Sequence, residues 1–447
     1  MKTFKIGGIH PNDNKFSAGK RILPVALPKQ VIIPLAAYLG APSVAVVEKG
    51  EKVKAGQLVG KANGFVSSNV HSSVSGKVVK IEPALDASGY KRMSVFIDVE
   101  GDEWMEGIDR STEIIRECRL TKEEIIQKIH DAGIVGLGGA TFPAHVKLTP
   151  PPGKKAEVLV INAVECEPYL TCDHQLMMEH TEEILIGISI LMKALQVERT
   201  VIGIENNKKD AIELFKNRIQ ARSFDGIEVV ALKVQYPQGG EKQLIDAAIG
   251  RQVPSGALPI EVGAVVQNVG TVFAIYEAVQ KNKPLIERVV TITGKSLLNP
   301  GNYMVRIGTP LANVVELAGG MPADTGKIIG GGPMMGRALM SLDIPTAKGS
   351  AGVLFMAEDE ARRKEMKNCI RCAKCVSVCP MGLEPFLLMA QGEREMWPEM
   401  ENDRVMDCIE CGSCSYTCPA NRPLLDYIRQ GKFTVSGIIR NRKTPNP

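Results

Sequence analysis

Eight cysteines toward the C-terminal end carry the strongest chemical signal in the sequence. They form two runs, Cys369-Ile-Arg-Cys372-Ala-Lys-Cys375-Val-Ser-Val-Cys379-Pro380 and Cys408-Ile-Glu-Cys411-Gly-Ser-Cys414-Ser-Tyr-Thr-Cys418-Pro419. Both obey C-x2-C-x2-C-x3-C-P. Three cysteines spaced by two residues wrap one turn of chain around a face of an iron–sulfur cube, and the fourth reaches the neighbouring cluster. The pattern predicts two [4Fe–4S] clusters. One is expected on Cys369, Cys372, Cys375 and Cys418, the other on Cys408, Cys411, Cys414 and Cys379. Zinc takes paired C-x2-C knuckles, and no zinc fold needs a doubled four-cysteine run closed by proline. The exchange of fourth ligands would hold the two clusters within fast tunnelling reach.

A second candidate lies in the middle of the chain, at Gly133-Ile-Val-Gly136-Leu-Gly138-Gly139-Ala140. It lacks the third glycine of a dinucleotide fingerprint, with Thr141 in its place, and it follows a helical pattern instead of a strand. A Rossmann nucleotide site is therefore disfavoured, and the loop by itself reads as a turn.

Composition narrows the class. The 447 residues are 44% hydrophobic and 23% charged, with a net charge of +4. That is a soluble globular protein of ~3 to 4 domains, with no basic stripe of the kind that binds nucleic acid. The start Met1–Lys5 runs into Gly7-Gly8, so no signal peptide is expected. The most apolar run, Ile184–Leu195, carries Lys193 and falls short of the roughly 20 residues a membrane span needs. The basic tail Arg440-Asn-Arg442-Lys443 reads as a solvated end. Of the 11 cysteines, Cys118, Cys166 and Cys172 are scattered and read as packed or surface thiols. A large chain without a secretory leader points to thiols in a reducing compartment.

The elements that must position these residues follow from periodicity. The first ~100 residues alternate short apolar stretches with glycine turns, as in Gly50-Glu-Lys-Val-Lys-Ala-Gly56-Gln-Leu-Val-Gly60, and predict a small β domain over 1–105. It resembles the biotinyl/lipoyl barrel-sandwich fold, but the tip Ser67-Ser-Asn-Val-His71 has no lysine to modify, and His71 reads as packed. Thr121-Lys-Glu-Glu124 is a capping box opening a helix with Ile125, Ile126 and Ile129 on one face. Strands at Val158–Ile161, Thr200–Ile204 and Ile227–Val234 alternate with a helix capped by Thr181, with Ile184, Ile188, Leu191 and Leu195 inward, and a helix at Lys208–Ile219. This is a three-strand βαβαβ unit with a parallel sheet, assigned to an α/β domain over 115–285. Residues 286–350 resemble a soluble-ligand-binding β-grasp domain. Residues 357–430 turn helical around the cysteines, with a helix expected from Pro385 to Gln391, and look like a helical two-cluster ferredoxin domain. The fold class is α/β multidomain.

The glycine loop gains meaning from its neighbours. Gly136-Leu-Gly-Gly-Ala-Thr-Phe142-Pro143-Ala-His-Val-Lys147, Asn162-Ala-Val-Glu165-Cys-Glu167-Pro168, Gly239-Gly240-Glu241 and Gln267-Asn268-Val269 together resemble the flavin-binding subunit of respiratory complex I. The chain departs at Leu137, where that family has arginine, and at Val164, where it has an acidic residue. The full order of domains, with the opening Phe4-Lys-Ile-Gly7-Gly8-Ile-His10-Pro11, resembles the C-subunit family of Rnf-type ion-translocating ferredoxin:NAD oxidoreductase complexes over essentially the whole chain. The resemblance implies FMN and NAD(H) in the middle of the chain. Gly136, Gly138 and Gly139 would admit phosphate to backbone N–H groups, with Lys147 as a cation. Asn162 and Asn268 would bond the flavin, Glu165, Glu167 and Glu241 would shape the nucleotide pocket, and Phe142 would stack on a ring. The plainer reading makes the glutamates solvated loop ends and Phe142 a core contact.

The function so implied is a peripheral electron-transfer subunit on the cytoplasmic face of the bacterial inner membrane. It would pass electrons between NAD(H), FMN and two [4Fe–4S] clusters, because a flavin mediates between hydride and single electrons. Its partners would be the membrane subunits of the complex and ferredoxin or a ferredoxin-like subunit. Two other readings remain at this point: a soluble flavin/iron–sulfur reductase such as a cobalamin reductase, and a non-catalytic iron–sulfur wire.

Overall fold

The computed structural model describes residues 1–443. Two small antiparallel sheets form the N-terminal β domain. One orders Gln30–Pro34, Lys91–Val99, Gly76–Leu85 and Lys52–Val53; the other orders Val44–Ala45, Leu58–Lys61 and Val70–His71. Side chains alternate across a strand, so Val31, Ile33, Val78, Val95 and Ile97 face Val59 and Val70 in one core. His71 is buried. Desolvation, with Lys348 nearby, lowers its pKa to about 3, which leaves a neutral, packed imidazole.

The chain ahead of Gln30 does not pair with these two sheets. Lys2 and Ile9 bridge to Leu232 and Tyr236 of the α/β domain. Ile22–Pro24 pairs in parallel with Gly301–Arg306 of the β-grasp sheet. An extended segment needs partners for its N–H and C=O groups, and an open sheet edge supplies them.

The capping box forms as the sequence predicts. Thr121 Oγ1 accepts from Glu124 N–H at 3.3 Å, and Glu124 Oε2 accepts from Thr121 N–H at 2.7 Å. The helix Lys122–Asp131 buries Ile125 and Ile129 and delivers the chain to the glycine loop. The parallel sheet has four strands where three were expected, in the order Ile227–Leu232, Thr200–Glu205, Val158–Asn162, Ala264–Asn268. The fourth is a five-residue run whose short apolar stretch carries no period of its own. It pairs on the far side of Val158–Asn162, so the strand order reverses there. Thr181 does not cap its helix: its hydroxyl donates to Met177 O at 2.6 Å, because a preceding helix, Cys172–Glu179, occupies the place of a loop.

The β-grasp sheet orders Ile22–Pro24, Gly301–Arg306, Glu287–Gly294, Gly352–Ala357, Thr325–Gly330 and Arg337–Ala338, with the helix Leu311–Leu317 packed on it. Gly352–Ala357 is a buried inner strand of this sheet. Behind it come Pro385–Glu393, Trp397–Asn402 and the long Leu424–Lys443 helix, which extends beyond 430. Their core is Leu388, Met389, Met400, Val405, Leu424 and Ile428, closed by Cys379 and Cys414. No helix of the described residues is long and apolar enough to cross a membrane.

One buried cation ties three domains together. Lys348 of the β-grasp domain donates from Nζ to Asn69 O and Gly133 O, each at 2.7 Å, and to Ser68 Oγ at 3.3 Å. Desolvation lowers its pKa from 10.5 to about 7. The unfolded amine keeps its proton to the ordinary value, so folding releases a proton between these limits and stability rises with pH across that window. Urea midpoints should therefore climb from pH 7 to pH 10 in the wild type. In Lys348→Met the climb should be smaller; an equal climb in both proteins would contradict this account.

Candidate functional site

The two cysteine runs fold alike. Arg371 and Ala373 in the first, and Glu410 and Gly412 in the second, hold equivalent positions and all take left-handed backbone, with φ of 55°, 55°, 58° and 79°. A non-glycine residue in that region costs of order 1 kcal/mol. Repeating the strain at matched positions marks a loop shaped to turn its thiols inward. Cys379, from the first run, lines one cavity with Cys408, Cys411 and Cys414 of the second, under Leu383, Leu388 and Ile428. Burial raises the Cys375 thiol's pKa, and Cys418 of the second run lies close enough to add to that shift.

The donor set fits an iron–sulfur cluster. Burial pushes the Cys408 thiol up to about 11 and Cys414 to about 12, with the neighbouring sulfurs adding to the shift. Four thiols that crowd one another in a dry cavity ionise together only against a metal core, which supplies the compensating charge. Amide protons already aim at the sulfurs: Leu383 N–H donates to Cys379 Sγ and Glu410 N–H to Cys408 Sγ, both at 3.4 Å. The two groups differ in depth. Cys379, Cys411 and Cys414 are buried, whereas Cys369 and Cys372 are exposed.

The glycine loop lies over the C-terminal ends of Val158–Asn162 and Ala264–Asn268, where the strand order reverses. This is the crevice in which open α/β sheets bind ligands. Asn162 and Asn268 are register partners at that edge. Gly136 N–H donates to Phe142 O at 2.9 Å and closes the loop, and Leu137 N–H donates to Thr271 Oγ1 at 2.9 Å. A Cβ on Gly138 would stand 2.6 Å from Asn268 Nδ2, so the backbone rests directly on that amide; around Gly139 there is open space. Asn162 Nδ2 donates to Gly239 O at 2.8 Å. Lys147, at the end of the short helix Ala144–Lys147, donates from Nζ to Glu241 Oε1 at 2.6 Å and to Val266 O at 3.2 Å. Asn268 caps the next helix, its Oδ1 accepting from Gly270 and Thr271 N–H, and its Nδ2 donates to Asp173 Oδ2 at 2.7 Å. Phe142 is half-buried beside the loop.

Two of the expected pocket carboxylates are engaged elsewhere. Glu165, with φ of 47°, accepts from Asp173 N–H at 2.7 Å and His174 N–H at 3.2 Å, at the start of Cys172–Glu179. Burial raises its pKa to about 7. Glu167 Oε1 accepts from Met334 N–H at 2.6 Å and Met335 N–H at 3.0 Å in the β-grasp domain. Neither is a solvated loop end.

Several residues at the site carry no local signal in the sequence. Lys15, in the N-terminal arm, donates from Nζ to the carbonyls of Glu165, Glu167 and Leu170 at 3.0, 2.9 and 2.6 Å. Arg288 donates to Lys348 O and to Leu137 O at the back of the glycine loop. Tyr236 donates its hydroxyl proton to Cys411 O at 2.8 Å and packs with Cys166 and Cys411. These contacts span long stretches of sequence, which no short window can register. Glu165, Cys172 and Asp173 bring one ligand atom each within 4.8 Å of one another. The buried Arg288 guanidinium faces Cys172 and Asp173 and already meets that charge.

Residues 2–102 match the RnfC barrel sandwich hybrid domain, 129–277 the Nuo51 FMN-binding domain, 289–338 the SLBB domain, and 361–419 the 4Fe-4S dicluster domain. The chain is 46% identical over 434 residues to the C-subunit of the proton-translocating ferredoxin:NAD(+) oxidoreductase complex of Clostridium ljungdahlii, covering 96% of this chain and 93% of that one. It is 47% identical over 434 residues to the C-subunit of the Na(+)-translocating ferredoxin:NAD(+) oxidoreductase complex of Acetobacterium woodii, covering 96% of each. A longer relative, the C-subunit of the ion-translocating oxidoreductase complex of Yersinia enterocolitica, is 42% identical over 95% of this chain and 61% of its own length.

Removing the Glu167 carboxylate takes the acceptor from two N–H donors, one partly buried at Met334 and one exposed at Met335. Glu167→Ala is expected to lower the unfolding free energy by about 1.5 kcal/mol, and Glu167→Gln, which keeps one acceptor, by about 0.5 kcal/mol. Urea unfolding at neutral pH measures both, and equal losses would show that the acceptor is not what matters.

Proposed function

The chain belongs to the C-subunit family of ion-translocating ferredoxin:NAD(+) oxidoreductase complexes, and we propose that its middle crevice and cysteine basins form one electron path. The observation that carries this reading is the position of the buried basin. Cys411 lies against Tyr236, which is part of the same domain as the glycine loop.

FMN supplies the exchange between the paired electrons of a hydride and single electrons. The chain's own residues would hold it at the switch point. Gly138 and Gly139 would offer backbone N–H groups to a phosphate, Gly136 would shape the turn through its bond to Phe142 O, and Lys147 would add positive charge. Asn162 and Asn268 present amides at the strand ends, Glu241 borders the crevice beside Lys147, and Phe142 flanks the loop. Glu165 and Glu167 would act by fixing backbone, since their carboxylates are already bonded. NAD(H) would be the hydride partner on the open side of the loop.

Cys408, Cys411, Cys414 and Cys379 would hold the inner [4Fe–4S] cluster, and Cys369, Cys372, Cys375 and Cys418 the outer one. The inner basin faces the flavin-type domain; the outer one opens to solvent. That order leads from nucleotide to surface, where a ferredoxin or a ferredoxin-like subunit would meet it. The two relatives of nearly equal identity are named for different ions, proton and Na(+). This suits a subunit that handles electrons and leaves ion translocation to membrane partners. The chain would be peripheral, on the cytoplasmic face, where NAD(H) and ferredoxin are found.

Two experiments test the assignment. Reconstituted chain should bind FMN, and NADH should bleach its absorbance. Lys147→Ala should weaken FMN binding roughly tenfold by loss of a charged contact; a chain that binds no FMN and reduces no ferricyanide would be an iron–sulfur wire instead. By EPR, Cys418→Ser should damage the cluster of the first run and Cys379→Ser that of the second. Each substitution abolishing the other signal would refute the exchanged ligation.

A further inference from the structure

The segment 362–374 leads into the outer cysteine basin and differs from the rest of the surface. Every residue from Arg362 to Lys374 is exposed, and regular secondary structure resumes only at Lys374. It is anchored by Lys367 N–H to Ala420 O at 2.9 Å and by Asn421 Nδ2 to Glu365 O at 3.0 Å. The segment carries six cations against the single carboxylate of Glu365, within a chain whose whole net charge is +4. Arg362 pairs with Glu358 and Arg363 with Asp426. Lys364, Lys367, Arg371 and Lys374 have no ion pair among the described residues.

Apolar side chains stand in the same stretch. Ile370, between the ligand cysteines Cys369 and Cys372, is 69% exposed, and Met366 is 52% exposed. Phe386, whose N–H donates to the Cys375 sulfur, is 40% exposed. Apolar groups with a charged rim are the usual anatomy of a transient protein contact. Exposed hydrophobes at a thiol pair that holds a redox centre would otherwise be a liability.

We propose that this arm is the docking surface for the acidic face of a one-electron carrier protein. This rests on the reading that Cys369, Cys372, Cys375 and Cys418 hold a cluster. In the step it serves, the partner's reduced iron–sulfur centre loses one electron and the outer cluster gains it, or the reverse. No bond forms or breaks and no proton moves. Anionic lipid would also suit four unpaired cations, but a headgroup accepts no electron, and the exposed ligands need a redox centre at short range. The unpaired cations select for an acidic partner, and steering of this kind raises association rates by 10–10³ in low salt.

The test uses the full chain loaded with both clusters and FMN, with a reduced acidic bacterial ferredoxin as probe in stopped flow. Lys364→Glu/Lys367→Glu should cut the second-order rate about tenfold or more at low ionic strength, and Lys364→Gln/Lys367→Gln should fall between. The gap should close as salt screens the charges. Both EPR signals should persist in the variants. Equal rates in all three proteins, or a wild-type rate that rises with salt, would overturn the proposal. So would a double variant that releases phosphatidylglycerol vesicles in a sedimentation assay yet keeps its rate, since the arm would then face lipid. If the wild type lacks the outer EPR signal while NADH still bleaches its flavin, the ligation reading fails, and the docking proposal with it.

Discussion

The structure turns on one carboxylate at a domain junction. Glu167 leaves the flavin-type domain and accepts two amide protons from Met334 and Met335 of the β-grasp domain. A Cβ on Gly332 would fall 2.1 Å from Glu167 Cγ, and one on Gly412 would fall 2.9 Å from Met334 O. Glycine is required at both places because backbone meets side chain, or backbone, without room for a methyl group. Tyr236 completes the junction by bonding Cys411 O. Three domains are thus fixed to one another within a few bonds, and the inner cysteine basin is held against the domain that carries the glycine loop. Electron transfer falls off steeply with distance, so the rigidity of this contact bears directly on function.

The same logic governs the back of the glycine loop. Arg288 and Lys348 come from the β-grasp domain and bond carbonyls of Leu137 and Gly133 on either side of it. Lys15 does likewise for the Glu165–Leu170 turn. Buried cations that bond carbonyls, not carboxylates, satisfy irregular backbone that no helix or sheet can serve. The loop can therefore keep its front face free for a ligand. The Arg288 guanidinium behind it also favours an anionic group in front.

Much of the outline was legible in the sequence because it is written in local spacing. The capping box at Thr121, the buried stripe Ile184, Ile188, Leu191 and Leu195, and the strands at Val158, Thr200 and Ile227 depend on residues within a turn or two of each other. Where neighbours in space were distant in sequence, local reading missed. Ala264–Asn268 was too short to show a period, yet it creates the switch point. Residues 1–24 show no local sign of their partners, which lie at Leu232, Tyr236 and Gly301–Arg306. Thr181 matched a cap by type, and the helix immediately before it gave its hydroxyl another acceptor.

The sequence by itself determined the cysteine chemistry, two runs spaced for iron–sulfur clusters, while the glycine loop took its meaning from the resemblance of its surroundings to a flavin-binding family. Ligand spacing and glycine placement are properties of a few consecutive residues, so they survive without the fold. Tertiary structure alone decided that Cys379, Cys411 and Cys414 are buried while Cys369 and Cys372 are exposed. It also decided that the Glu165 and Glu167 carboxylates accept backbone N–H groups, and that Lys15, Arg288 and Tyr236 bond backbone around the glycine loop and the cysteine basin. Burial and long-range hydrogen bonding are set by which surfaces meet, and no stretch of chain encodes its partner.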